Sequence, residues 1–181
     1  MSSSTPTEAD LRYPIGKLTR KSEFTPDERS AAIDAIAAAP KSLRHAVERL
    51  SDGQLDTPYR PGGWTVRQLV HHVADSHINA YTRFRLGLTE ENPTIKPYDE
   101  AKWAELSDAS TLPVGVSLAI LDAVHERLVT LLRATPAASF ARPIVHPENG
   151  PQSLDSLLNV YSWHGKHHVA HVTSLAERMK W

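Results

Sequence analysis

Four of this chain's ten histidines fall within eight positions of the C-terminal stretch NVYSWHGKHHVAHV. On a helix turning about 100° per residue, Leu154, Leu157, Leu158, Tyr161, Val172 and Leu175 share one arc. His164 and His168 lie in the middle of that arc, His171 at its margin and His167 further out. Residues four apart stack on one face, so His164 and His168 aim together at the interior. A buried imidazole without a partner costs on the order of 1–3 kcal/mol. A shared metal ion relieves both rings at once, and imidazole suits zinc, nickel, copper and iron. A structural hydrogen-bonded pair and a solvent-facing cluster are the alternatives.

An open catalytic site of this kind wants three protein ligands, and HxxxH supplies two. The stretch HHVADSH offers His71, His72 and His77. The helical wheel puts His77 nearest the centre of its apolar stripe, with His71 and His72 on opposite shoulders, which leaves the third ligand undecided. His125 and His146 read as ordinary surface or cap residues.

Four amphipathic segments must position these rings. The first begins at FTPDERS, where Thr25 and Glu28 form a capping box and Pro26 suits the first turn. Pro40 is expected to kink or split that helix. After the turn-rich DGQLDTPYRPGGW, a second helix opens with Thr65 and Gln68 in another capping box. A long connection, TEENPTIKPYDEAKWAELSDAST, follows, with a short helix expected around 100–106. Such a length marks a functional loop or a crossover. The third helix carries Leu118, Leu121, Val124, Leu128, Leu131 and Leu132 on one side. Ser153 caps the fourth. The intervening RPIVHP is at most a brief extended piece, and no convincing strand pairing is visible. The pattern predicts an all-α fold, a four-helix bundle with a long crossover connection. Residues 1–24 read as an N-terminal arm and 25–181 as a single domain.

A net charge of −1 offers no field for nucleic acid or anionic lipid. With no cysteine, disulfides, thiolate metal sites and cysteine nucleophiles are excluded. No run approaches the roughly 20 apolar residues of a membrane span. The N-terminus lacks the pattern of a signal peptide, so the expected location is cytoplasmic.

PYRPGGWTVRQLVHHVADSHINAYTRFRL, VYSWHGKHHVAHV and the N-terminal YPIGK together resemble the DinB-like superfamily, and within it the YfiT branch of metal-dependent hydrolases. The likeness runs from Tyr13 to Trp181. It implies a four-helix bundle, usually a homodimer, holding one divalent metal per subunit on three histidines. The family tryptophan opening the second helix matches Trp64, and the first ligand falls on His72. The two ligands of the last helix fall on His164 and His168. This ligand set prefers His72 where the wheel prefers His77.

Zinc is the first expectation for the metal and nickel the second. A cation held by three neutral imidazoles lowers the pKa of bound water and polarises a carbonyl, which suits hydrolysis of a small-molecule substrate. The glutamate of HExxH is missing, because Gly165 follows His164. Asp75, one turn after His72, could orient that ring or serve as base. Relatives in the superfamily transfer low-molecular-weight thiols such as bacillithiol. A metal deprotonates a thiol without a base, so a thiol S-transferase is the alternative. The third possibility is a non-catalytic bundle with a structural metal.

Overall fold

The computed structural model describes Thr7 and residues 11–181. The predicted caps are present. Helix α1 (Pro26–Val47) starts at Thr25, whose Oγ1 accepts from the Glu28 N–H while the Glu28 carboxylate accepts from the Thr25 N–H. A single turn, α2 (Asp52–Leu55), carries its own Ser51–Gln54 box. Helix α3 (Val66–Thr89) opens with Thr65 and Gln68 paired reciprocally. Helices α4 (Glu100–Ala104) and α5 (Ser107–Thr111) lie in the long connection, followed by α6 (Val114–Ala134) and a 3₁₀ turn at Ala137–Ala141. Ser153 caps α7 (Leu154–Met179), with its Oγ accepting from the Ser156 N–H at 3.1 Å.

Two expectations need correcting. Pro40 neither splits nor ends α1, which runs on to Val47. A strand pair also exists: β1 (Pro143–His146) and β2 (Gly150–Ser153) are antiparallel, with Ile144 opposite Gln152. Gly150, at φ 74°, supplies the left-handed turn residue. Prolines at both 143 and 151, in strands of four residues, hide the alternation by which strands are recognised.

The four long helices form a bundle in which α1 packs on α7 and α6, and α3 packs on α6 and α7. Cross-bundle pairs fix the directions. Arg29 meets Asp155 and Ala39 faces Gly165, so α1 and α7 are parallel. His71 meets Ser117 and His77 meets His125, so α3 and α6 are parallel. Asp34 with Arg133 and Arg44 with Asp122 set α1 against α6, and His77 with His164 and Arg83 with Tyr161 set α3 against α7. The order is therefore up, down, down, up. Parallel neighbours cannot be joined by a tight turn, so residues 90–113 run back along the bundle. This is the expected crossover, and it is tied to the hairpin by Ile95 N–H to Val145 C=O and Val145 N–H to Pro93 C=O, each 2.9 Å. The described part of the arm lies along α7, where Ser22 and Phe24 meet Ser153 and Asp155.

The core is divided. One cluster gathers Ile36, Phe84, Leu128, Leu132, Leu154 and Leu158; the other gathers Leu43, Val70, Val73, Leu121, Val172 and Leu175. Between them on α3, α6 and α7 lie histidines 72, 77, 125, 164 and 168. Among the described residues, no helix is long and apolar enough to cross a membrane.

Candidate metal centre

The layer that separates the two apolar clusters brings three ligand-capable rings together. One ring nitrogen from each of His72, His164 and His168 lies within 4.8 Å of the other two. Ring centroids are 4.4 Å apart for His164 and His168, 5.0 Å for His72 and His168, and 5.4 Å for His72 and His164. Helical spacing on α7 stacks two of the rings, and antiparallel α3 delivers the third. The donor set fits a divalent ion of the zinc or nickel kind: three imidazoles and no competing charge.

Burial keeps these rings neutral and their lone pairs available. His72 is pushed down to about 4 by burial. His164 and His168 lie well below the usual imidazole range, first through burial and then through neighbouring histidines. Trp64, just before α3, covers His72 at a centroid distance of 4.7 Å. The Nδ1 of His168 is buried with no hydrogen-bond partner. Such an orphan is a cost that apolar packing would avoid.

The other histidines divide by what their nitrogens already do. His77, favoured by the wheel, is fully buried, but both its nitrogens are engaged, Nε2 with His164 Nδ1 at 3.1 Å and Nδ1 with His125 Nε2 at 2.8 Å. Depth on the stripe therefore selects the ring that supports the site, and the shoulder position carries His72 into it. His71 is likewise occupied, by Ser117 Oγ at 2.7 Å and the Leu112 carbonyl at 3.1 Å. His125 is no surface residue: it is buried, and its Nδ1 lies 2.7 Å from the Ile36 carbonyl. The missed signal was the run 118–121–125–128–132, a three-four spacing whose middle position is His125. His146 stays local, its Nδ1 accepting from the Glu148 N–H at 3.2 Å. His167 and His171 meet edge to face with ring centroids 4.2 Å apart, and His171 Nε2 donates to the Arg12 carbonyl of the arm.

Asp75 is half-buried, and its carboxyl is pushed up to about 6 by burial and by the charge of Asp108. No hydrogen bond joins it to His72 among the described contacts, so orientation of that ring by Asp75 has no support. The position a metalloprotease gives to glutamate holds Gly165, where an added Cβ would sit 2.8 Å from Ala39 Cβ. Helices α1 and α7 close up there.

Acid should weaken the metal-free fold. His72, His167 and His171 are held at about 4 when folded, against an ordinary 6.5. Below 6.5 the unfolded chain takes up protons the folded one refuses, so the stability present above that value drains away as pH falls towards 4. Asp75 works in the opposite sense, since its raised pKa favours the fold at low pH and loses that effect as pH rises through about 6. The three histidines, joined by His164 and His168 shifted in the same direction, oppose one carboxyl. The urea midpoint of chelator-treated protein should therefore drop between about pH 7 and about pH 5; a rising midpoint would contradict neutral burial of the rings.

The profile of the DinB superfamily matches residues 35–172. A Bacillus mycoides protein named "Putative metal-dependent hydrolase" is 53% identical over 172 residues, 95% of this chain and 99% of its own length. A Bacillus cereus protein of the same designation is also 53% identical over the same shares. YfiT from Bacillus subtilis, described as a probable metal-dependent hydrolase with an unusual four-helix bundle topology, superposes with a TM-score of 0.92. Its identity is 46%, covering 95% of this chain and 99% of that one. TT2238, a four-helix bundle protein, shares the fold at a TM-score of 0.59 and 20% identity, covering 81% of this chain and 98% of its own.

Proposed function

This chain belongs to the DinB superfamily, and from that premise we propose that it is a metal-dependent hydrolase of a small-molecule substrate, with His72, His164 and His168 as the metal ligands. The convergence of three neutral imidazoles within 4.8 Å carries the proposal. When bound there, a divalent cation supplies Lewis acidity, lowering the pKa of a water or thiol and polarising a carbonyl. The chain's own residues do the remainder. Trp64 and Tyr161 wall the rings with aromatic surface and limit solvent. Arg83 holds the Tyr161 hydroxyl at 3.0 Å. Asp75, at about 6, can hold or release a proton near neutrality, as a general base or acid must.

A second reading has its own observation. Gly165 stands where a glutamate base would be, and no carboxylate hydrogen-bonds a ligand ring among the described contacts. Transfer of a low-molecular-weight thiol of the bacillithiol type needs no such base.

One assay separates the two. Zinc- and nickel-loaded protein is offered a panel of esters and amides, and an electrophile such as monochlorobimane, each with and without added thiol. Thiol-independent cleavage supports hydrolysis. Conjugation that requires thiol, with no cleavage, replaces it by S-transfer. A cytoplasmic location and a homodimer belong to the same proposal. Val116 and Ile120, exposed one turn apart on α6, offer the dimer an apolar face.

A further inference from the structure

The carbonyl of Ile36 has lost its helical partner. In an α-helix that oxygen accepts from the residue four places on, which here is Pro40, and proline has no N–H. His125 Nδ1 takes the vacant role from across the bundle at 2.7 Å. His125 Nε2 then lies 2.8 Å from His77 Nδ1, and His77 Nε2 lies 3.1 Å from His164 Nδ1. Three imidazoles thus run head to tail from α6 through α3 to α7.

The direction of every hydrogen bond in this chain is forced. A carbonyl only accepts, so the His125 proton must be on Nδ1. A neutral imidazole with its proton there has only a lone pair at Nε2, so His77 must donate from its own Nδ1. The same step repeated makes His164 donate from Nδ1 to His77 Nε2. His164 is left with a lone pair on Nε2, whose one hydrogen-bond contact among the described residues is Ser76 Oγ at 3.5 Å. The rings are neutral because His77 is wholly buried, His125 is 2% exposed, and no carboxylate hydrogen-bonds either ring among the described contacts.

We propose that Pro40, the Ile36 carbonyl, His125 and His77 act as a positioning chain that locks His164 in its Nδ1–H tautomer and presents Nε2 as the ligand atom. The proposal rests on the metal reading of the site given above. It explains why polar residues occupy the middle of an otherwise apolar core, and why a helix-breaking residue sits inside α1. It also makes the three ligands unequal. His164 is preset through three hydrogen bonds, whereas the Nδ1 of His168 has no partner. His77 and His125 touch no substrate in this scheme; they act through His164.

The test begins with the metal-free wild type. Nitrogen-15 spectra of its histidine side chains should show His125, His77 and His164 all protonated on Nδ1. In His125→Phe, His77 is released from its acceptor and can turn its proton to Nε2. His164 should then populate the Nε2–H form, and affinity for zinc, measured by chelator competition, should fall about 10–100-fold with helical content unchanged. A wild-type His164 carrying its proton on Nε2 overturns the chain, and that spectrum decides even if the variant does not fold. A folded His125→Phe that binds zinc as tightly as the wild type overturns it too. A wild type that binds no zinc overturns the metal reading itself, a result distinct from either.

Discussion

His168→Ala should leave a folded bundle that no longer retains a divalent ion. Two imidazoles remain, one fewer than an open zinc-type site requires. Metal content after dialysis should fall from about one ion per chain to a trace, and turnover with the metal should fall at least about 100-fold. The metal-free proteins should differ much less. Removing the ring deletes a buried Nδ1 that has no partner, a gain of about 1–3 kcal/mol, against the cost of the cavity left behind. Zinc should therefore distinguish the two chains most sharply in thermal melts. At about 1,000 times its dissociation constant, a ligand adds about 4 kcal/mol to the wild type, and the same concentration should add almost nothing to the variant. Full metal retention by His168→Ala would remove this residue from the site.

The largest expected loss of stability lies elsewhere, at Asp155→Ala. The Asp155 carboxylate accepts from Arg29 Nε at 2.9 Å, Arg29 Nη2 at 2.7 Å and the Phe24 N–H at 3.2 Å. Its side chain is 5% exposed and that of Arg29 13%. The pair joins the first turns of α1 and α7 and fastens the arm to both. Removing one partner strands a guanidinium with little access to water, so the cost should be about 3–5 kcal/mol. Urea unfolding followed by far-UV circular dichroism should show a lower midpoint with an unchanged slope. The double change Arg29→Met with Asp155→Leu should recover much of the loss, since apolar replacement of a buried pair is often neutral. A single variant within about 1 kcal/mol of wild type would mean that the pair is solvent-screened in practice.

Local chemistry was legible in the sequence; depth and distant pairing were not. Thr25, Thr65 and Ser153 cap the helices they were expected to cap, because an N-cap depends on residues within one turn. His164 and His168 were visible because helical spacing alone puts them on one face. A wheel, however, reports direction from the helix axis and not what stands opposite. It favoured His77 over His72, although His77 has no nitrogen to spare; the family resemblance pointed to His72 instead. His125 escaped because its partner is a carbonyl on another helix, freed by a proline whose effect was read as a kink or a split in that helix. The hairpin escaped because its two strands are short and proline-bearing, and it is steadied by the Thr94 segment of the crossover.

The contact between Gly165 and Ala39 has a consequence for descent as well as for packing. Some glycine codons differ from a glutamate codon by a single base, so few mutations would turn HGKHH into the metalloprotease-like HEKHH. The facing methyl group of Ala39, 2.8 Å from where a first side-chain carbon would go, stands in the way. A lineage on this scaffold would have to separate two parallel helices before it could test that glutamate. Its chemistry is steered instead towards proton acceptors on other helices, or towards nucleophiles brought in by a second reactant.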